Sequence, residues 1–164
     1  DSESQIGPVV SQDQLETDLR YIEIAKREGA ELSWGGRPLE RKTHGYYLEP
    51  ALFINTTNDM RVSREEIFGP VANVICVSDY DEALHVANDT EFGLSSGICT
   101  TSLKYASHFK RNSEAGMVMV NLPTAGVDYH VPFGGRKKSS YGPREQGGYS
   151  KEFYTSVKTT YVAS

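Results

Sequence analysis

Two short segments of the chain are wholly or almost wholly apolar and do not alternate with polar residues: Val71–Val77, in which Asn73 is polar, and Met117–Val120. Leu94–Cys99, between them, also has the length and flanking residues of a strand. Strands without alternation are typical of a parallel sheet that helices cover on both faces. Amphipathic helical segments separate the three strands. The order strand, helix, strand, helix, strand predicts an α/β fold with two right-handed βαβ crossovers.

Helix boundaries can be predicted from capping residues. Ser11 followed by Gln14 is a capping-box pattern, and the apolar spacing after it predicts a helix from about residue 12 to 28. Ser78 and Ser102 are expected to cap the two helices between the strands. Two further extended segments are predicted, Glu31–Trp34 and Tyr46–Ile54.

Composition limits the class of protein. The 164 residues suit one domain or part of a larger one, and the chain begins at Asp1 without a methionine, so it can be a piece of a longer protein. A net charge of −5 and a single short cationic run argue against nucleic-acid binding. No apolar run is long enough to cross a bilayer. We therefore expect a cytoplasmic protein with no membrane partner.

The two cysteines, Cys76 and Cys99, form neither a CxxC pair nor a zinc-binding pattern. Both lie in predicted strands, so we expect small buried side chains and not nucleophiles. No histidine has a partner at the spacing of a metal site. The sequence predicts no bound metal.

Ligands of open α/β sheets bind beyond the carboxyl ends of the strands, so the residues from Asn121 onward are the first place to look for function. His130, with Asp128 and Tyr129, could reach a ligand there; a loop histidine bonded to backbone is an equal alternative. Phe133–Gly135 either allows a close approach to a ligand or forms a plain turn.

Adjacent carboxylates, Glu65 and Glu66, precede Phe68 and the turn formed by Gly69–Pro70. Charged residues at a solvated helix end explain the glutamates but not the aromatic residue. A general acid and base pair is a second interpretation. A third is that one carboxylate accepts hydrogen bonds from ligand hydroxyls while Phe68 packs on a ring.

The chain ends in Tyr154–Val162, which is rich in β-branched and aromatic residues and predicts a strand. The backbone of a terminal strand needs a partner, and pairing with another subunit supplies one.

Four stretches together resemble the C-terminal part of the NAD(P)-dependent aldehyde dehydrogenase superfamily. They are EEIFGPV, ANDTEFGLSSGI, VNLPTAGVDYHVPFGGRKKSS, and GPREQGG through YTSVKTTYV. The resemblance covers nearly the whole chain from Gly7 onward. It implies that residues 1–153 belong to the catalytic domain and that residues 154–164 form an oligomerisation strand, which joins subunits into a dimer or tetramer.

The resemblance also implies roles for individual residues. Glu66 is expected to accept hydrogen bonds from the nicotinamide ribose, with Phe68 packing beside the nicotinamide and Glu65 as the solvated neighbour. The aldehyde tunnel is expected to be lined by Asn121, Val127, His130 and Phe133. Within the family the loop resembles that of the branch oxidising 2,5-dioxovalerate (α-ketoglutarate semialdehyde), whose distal carboxylate suits a polar mouth near His130 and Arg136.

The family's nucleophilic cysteine, oxyanion-holding asparagine and glutamate base all lie upstream of the matched region. Its cofactor domain, which selects NAD or NADP, also lies upstream. The resemblance therefore implies that this chain is inactive alone. The alternative is a stand-alone, non-catalytic α/β binding or assembly module. A flavodoxin-like nucleotide domain ranks below both because the chain has no phosphate loop.

Overall fold

The computed structural model describes residues 3–164. The chain forms two compact units, Asp1–Val77 and Ser78–Ser164, each of which is described by itself. The helices are α1 (Gln12–Arg27), α2 (Arg61–Arg64), α3 (Tyr80–Asn88), α4 (Leu103–Asn112) and α5 (Ser150–Tyr154), with 3₁₀ turns at Lys137–Ser139 and Gly147–Tyr149. The strands are β1 (Glu31–Trp34), β2 (Ala51–Thr56), β3 (Val71–Ile75), β4 (Ser95–Ile98) and β5 (Met117–Val120).

The first unit packs α1 against a three-stranded sheet. Helix α1 begins after Ser11, whose hydroxyl accepts a hydrogen bond from the backbone N–H of Gln14, so the predicted cap is confirmed. In the sheet, β1 pairs antiparallel with β2, and β2 pairs in parallel with β3. The buried hydrophobic core consists of Ile22, Ala25, Ala30, Leu48, Ala51, Phe53, Val62 and Ile67.

The second unit contains the parallel pair β4 and β5, connected through α4. Ser102 caps α4 as predicted. The cap of α3 is Asp79 and not Ser78, so that prediction is wrong by one residue. Ser78 instead donates from its N–H and hydroxyl to the Glu82 carboxylate, at 2.7 Å each, which adds a second link across the same helix start.

The α/β class and the parallel strand pairs are confirmed, but strand pairing differs from the single expected sheet. β3 hydrogen-bonds to β2, and β4 to β5, in separate sheets. Burial differs as well: in β3 half-buried and exposed residues alternate, so only one face is covered within this chain. An apolar pattern shows that a strand needs cover, but it does not identify the neighbouring strand.

Residues 155–164, which follow α5, have no helix or strand assigned and are exposed. Their backbone has no sheet partner within the described residues, so the terminal strand stays a prediction. Within residues 3–164 no helix is both long and apolar enough to span a membrane.

Candidate functional site: the turn before β3 and the loop after β5

The turn between α2 and β3 holds an aromatic side chain in an unusual position. Phe68 has φ 62°, in the left-handed region that bulky residues rarely occupy, and its side chain is 80% exposed. Such a conformation costs about 1–3 kcal/mol and persists only when neighbouring structure imposes it. Because the Phe68 ring is exposed, burial of the ring within this unit does not offset the strain of its backbone.

Neighbouring hydrogen bonds impose the conformation from both sides. Before Phe68, the Gln14 side-chain amide donates to the carbonyl of the buried Ile67 at 2.8 Å. After it, the Pro70 carbonyl accepts from the N–H of Ala51 at 2.9 Å, where β3 begins to pair with β2. The turn is therefore fixed to both α1 and the sheet.

Glu65 is exposed, as a solvated neighbour would be, but its carboxylate is also hydrogen-bonded within the protein. Arg61, one turn earlier, donates to both of its carboxylate oxygens, at 2.8 and 2.9 Å, and the Tyr21 hydroxyl donates to one of them. The hydrogen bonds from Arg61, and then that from Tyr21, lower the pKa of Glu65 to about 2. Both oxygens of the Glu65 carboxylate are therefore used in hydrogen bonds within the protein.

Glu66 is the available carboxylate of the pair. It is exposed, and no hydrogen bond or ion pair to it occurs within the part of the chain that the structure describes. It lines a shallow depression of about 400 Å³ together with Val62, Glu65, Ile67, Phe68, Gly69 and Val71. The depression offers two acceptor oxygens beside an aromatic face, which suits a ligand that carries hydroxyls next to a flat ring.

The loop after β5 begins at Asn121, whose side chain holds two strand ends together. Its Oδ1 accepts from the N–H of Thr100 at 2.8 Å, and its Nδ2 donates to the Thr100 carbonyl at 2.9 Å. Asn121 also has a positive φ of 56°. Its amide therefore links the ends of β4 and β5 and shapes the start of the loop.

His130 forms a pair with Asp128. Its Nδ1 lies 2.6 Å from Asp128 Oδ1, and its backbone N–H donates to the same oxygen. The backbone and side-chain hydrogen bonds from His130 lower the pKa of the Asp128 carboxyl. The imidazole therefore bonds to a side-chain carboxylate, whereas the alternative interpretation had it bonded to backbone. No hydrogen bond to its Nε2 occurs among residues 3–164, and a ligand contact through Nε2 stays a prediction.

Val127 belongs to the same loop. It lines an apolar depression of about 400 Å³ together with residues of β5 and of the loop, including Met117, Met119, Leu122 and Val131. Phe133, the fourth predicted tunnel residue, is half-buried and not part of that lining. The structure thus places Val127 on an apolar surface and His130 on a polar, exposed one.

The glycines after Phe133 are required by the protein's own packing. A Cβ on Gly134 would lie 2.7 Å from Arg144 Nη1, and one on Gly135 would lie 2.8 Å from the Cβ of Ser139. Arg144 donates to the Gly135 carbonyl at 2.8 Å. The glycine pair therefore allows the arginine and the following 3₁₀ turn to approach the backbone closely. Nothing in the sequence pattern singled out Arg144.

Lys137 is a second structural residue that sequence reasoning missed. The cationic run to which it belongs reads as a solvated loop, yet its ammonium donates to the carbonyls of Asn88 and Thr90, at 2.5 and 3.0 Å. It also forms an ion pair with Glu114 at 2.6 Å. A cation at the carboxyl end of α3 satisfies carbonyls that the helix leaves unpaired.

The expectation that Cys76 and Cys99 are buried is wrong. Both are free and exposed, each directly after the last residue of a strand, β3 and β4 respectively. β3 ends two residues and β4 one residue earlier than predicted, so both side chains lie beyond the paired part of the strands. No group of three or more potential metal-ligating side chains occurs among the described residues.

With this geometry in place, comparison with known proteins identifies the class. The family model described as "Aldehyde dehydrogenase family" matches residues 1–160. The chain belongs to the aldehyde dehydrogenase family.

Individual relatives refine this. The chain is 46% identical over 159 residues to an alpha-ketoglutaric semialdehyde dehydrogenase of Bacillus subtilis, covering 96% of this chain and 33% of that protein. It is 47% identical over 163 residues to an alpha-ketoglutarate semialdehyde dehydrogenase of Haloferax volcanii, covering 98% and 34%. It spans about a third of the length of these curated relatives.

A solved structure agrees with the fold. The NAD⁺ complex of an aldehyde dehydrogenase from Bacillus cereus superimposes with a TM-score of 0.89 at 38% identity, covering 99% of this chain and 32% of that one. The suspected family is confirmed, and the relatives include the branch that the loop resembled.

Proposed function

We propose that this chain is the C-terminal part of an enzyme that oxidises an aldehyde to a carboxylic acid with NAD or NADP. In the mechanism that the resemblance implies, a cysteine outside this chain forms a thiohemiacetal, which becomes a thioester and is then hydrolysed. A bound nicotinamide cofactor, held in part by Glu66 and Phe68, would supply the hydride acceptor for this oxidation. Residues 1–164 contribute part of the cofactor site, part of the tunnel wall and a subunit contact.

The observation that carries this proposal is the contrast between the two adjacent glutamates. Glu65 is fully bonded within the protein, whereas Glu66 has both oxygens available beside the exposed Phe68 ring. A ribose offers two adjacent hydroxyl donors, and the nicotinamide offers a flat ring. Glu66 and Phe68 therefore fit the ribose and the nicotinamide, respectively.

The substrate assignment is more specific. Relatives named for α-ketoglutarate semialdehyde support 2,5-dioxovalerate as the substrate of the full-length protein. Its chain carries a distal carboxylate, for which the exposed guanidinium of Arg136 is a suitable donor. The Nε2 of His130 is a second donor when the ring is an imidazolium, because Nδ1 already donates to Asp128. Asn121, Val127 and Phe133 are proposed to shape the remainder of the entrance.

The ends of the chain complete the proposal. Residues 1–153 belong to the catalytic domain, and residues 154–164 add a strand to a second copy, giving a dimer or tetramer. The exposure of residues 155–164 supports this, because the backbone is accessible to a partner. We also propose that residues 1–164 alone do not oxidise aldehydes, and that the full-length protein works in the cytoplasm.

The test is Glu66→Gln in the full-length protein. Glutamine keeps the size of the side chain but loses the charge and one acceptor, so we expect about tenfold weaker NAD⁺ or NADP⁺ binding by titration calorimetry. The matched control is Glu40→Gln, an exposed glutamate far along the sequence from the turn, which should leave binding unchanged. Equal affinity of Glu66→Gln and wild type would remove the proposed cofactor role.

A further inference from the structure

Asp18 occupies a position on α1 at which an apolar residue is expected. It shares the buried face of the helix with Ile22 and Ala25, and its exposure is 0%. Carboxylic acids are rarely fully buried without a charged partner. Desolvation by burial raises the pKa of the Asp18 carboxyl, against the opposing effect of a hydrogen bond from Gln14.

The carboxyl lies directly beneath the turn that carries Phe68. Its Oδ1 accepts from Gln14 Nε2 at 2.7 Å, and the same nitrogen donates to the Ile67 carbonyl at 2.8 Å. The Asp18 side chain is thus linked through one amide group to the residue before Phe68.

Gly69 brings the other side of the turn onto the same carboxyl. A Cβ added at Gly69 would lie 2.0 Å from Asp18 Oδ1 and 2.4 Å from Oδ2. Any other residue at position 69 would displace the carboxyl or the turn. Asp18 therefore lies directly against Gly69 and is linked to Ile67 through Gln14, one on each side of Phe68.

The arrangement has a cost that a core residue would avoid. Asp18 Oδ2 is buried and has no hydrogen-bond partner within residues 3–164. An unsatisfied buried polar atom destabilises the folded state, and an apolar side chain of similar size would remove that penalty. An apolar side chain would, however, leave the Gln14 amide without the acceptor that directs it toward Ile67.

We infer that Asp18 is a positioning residue for the cofactor-binding turn, holding the Gln14 amide toward Ile67 and supporting the backbone at Gly69. The role rests on the proposed function of Glu66 and Phe68. Asp18 acts through the turn: it keeps the strained backbone of Phe68 and the adjacent carboxylate in place before the cofactor binds. A preformed site binds more tightly because less conformational freedom is lost on binding.

The experiment compares variants of the full-length protein. Asp18→Ala is expected to weaken NAD⁺ or NADP⁺ binding about tenfold by titration calorimetry, with the KM for the aldehyde unchanged. Hydrogen exchange of the amides of residues 65–70 should become faster. Asp18→Asn keeps an oxygen acceptor for Gln14 and should bind the cofactor within about threefold of wild type.

Ile22→Val, one turn further along the same buried face, is the matched control. It lowers stability but keeps Gln14, Asp18 and their hydrogen bonds, so it should leave both cofactor affinity and exchange of residues 65–70 as in wild type. If Asp18→Ala does not fold, Gln14→Met removes the same amide link and should give the same weakening.

The inference is overturned if Asp18→Ala binds the cofactor as tightly as Ile22→Val does, or if Asp18→Asn is as weak as Asp18→Ala. Glu66→Gln distinguishes a failure of the positioning role from a failure of the proposed cofactor site. Weakening by Glu66→Gln without weakening by Asp18→Ala removes only the positioning role. No weakening by Glu66→Gln contradicts the proposed cofactor site itself.

Discussion

The turn at residues 65–70 and the loop at residues 121–136 use polar side chains in different ways. In the turn, the polar partners lie outside it, on α1 and α2, and they leave one carboxylate, that of Glu66, unbonded. In the loop, the polar groups bond mainly to nearby backbone: Asn121 to Thr100, and Lys137, just beyond it, to the end of α3. A polar residue beside a candidate site is therefore a candidate for binding a ligand only when its donor or acceptor atoms are not already bonded within the protein.

The largest expected effect tests the close packing of the loop at residues 121–136 against Gly116. Gly116→Ala should destabilise the chain by about 3 kcal/mol, because the new Cβ would meet the Gly134 carbonyl oxygen at 2.2 Å and neither backbone can move cheaply. Urea unfolding measures the loss. Gly148→Ala, where a Cβ meets no atom within 4 Å, is the matched control and should change stability by less than about 0.5 kcal/mol. Equal stability of the two variants would contradict the packing argument.

An intermediate effect on stability is expected at Lys137, but not at its neighbour Lys138. Lys137→Met should cost about 1–2 kcal/mol, because the Thr90 carbonyl loses its ammonium donor and the Asn88 carbonyl keeps only the N–H of Thr90. Lys138→Met, which loses only an exposed ion pair with Glu91, should cost about 0.5 kcal/mol or less. Thermal unfolding of both variants measures the difference. If Lys138→Met proved the more damaging, the assignment of Lys137 as the helix-capping cation would be wrong.

The smallest effect distinguishes the two glutamates of the turn by pH. The pKa of Glu65 is lowered from 4.5 to about 2, so its stabilising contribution is complete above pH 4.5 and is lost as the pH falls toward 2. Glu65→Gln should therefore melt below wild type at pH 7, and the difference should shrink through that acid window. Melting curves from pH 2 to 7 measure it. Glu66→Gln removes no hydrogen bond within the described residues, so its melting temperature should not approach that of wild type in this way as the pH falls. If both variants behaved alike, the structural difference between Glu65 and Glu66 would be contradicted.

Sequence reasoning succeeded where the signal was local. Ser11 and Ser102 cap helices because a hydroxyl reaches an N–H only three residues away, and the spacing alone reveals this. It was one residue out at Ser78, where the next residue, Asp79, is an equally good cap. The i, i+4 spacing of Arg61 and Glu65 was also a local signal, and it could have shown which glutamate was committed.

Site predictions depended on more distant partners. The resemblance singled out Glu66 and Phe68, but the contact between Tyr21 and Glu65 spans 44 residues and is invisible in a motif. The support of the turn by Asp18 is equally remote, since no local pattern connects a helix position with a glycine some fifty residues later. The exposure of Cys76 and Cys99 depended on where strand pairing stops.

The amino-acid sequence by itself determined the α/β class, the helix starts and the family, because these follow from short-range periodicity, caps and motifs. The tertiary structure alone decided which strands pair, which glutamate remains available and which buried carboxyl supports the turn. Hydrogen-bond partners and close contacts join residues far apart in the chain, and only the folded backbone brings them within bonding distance.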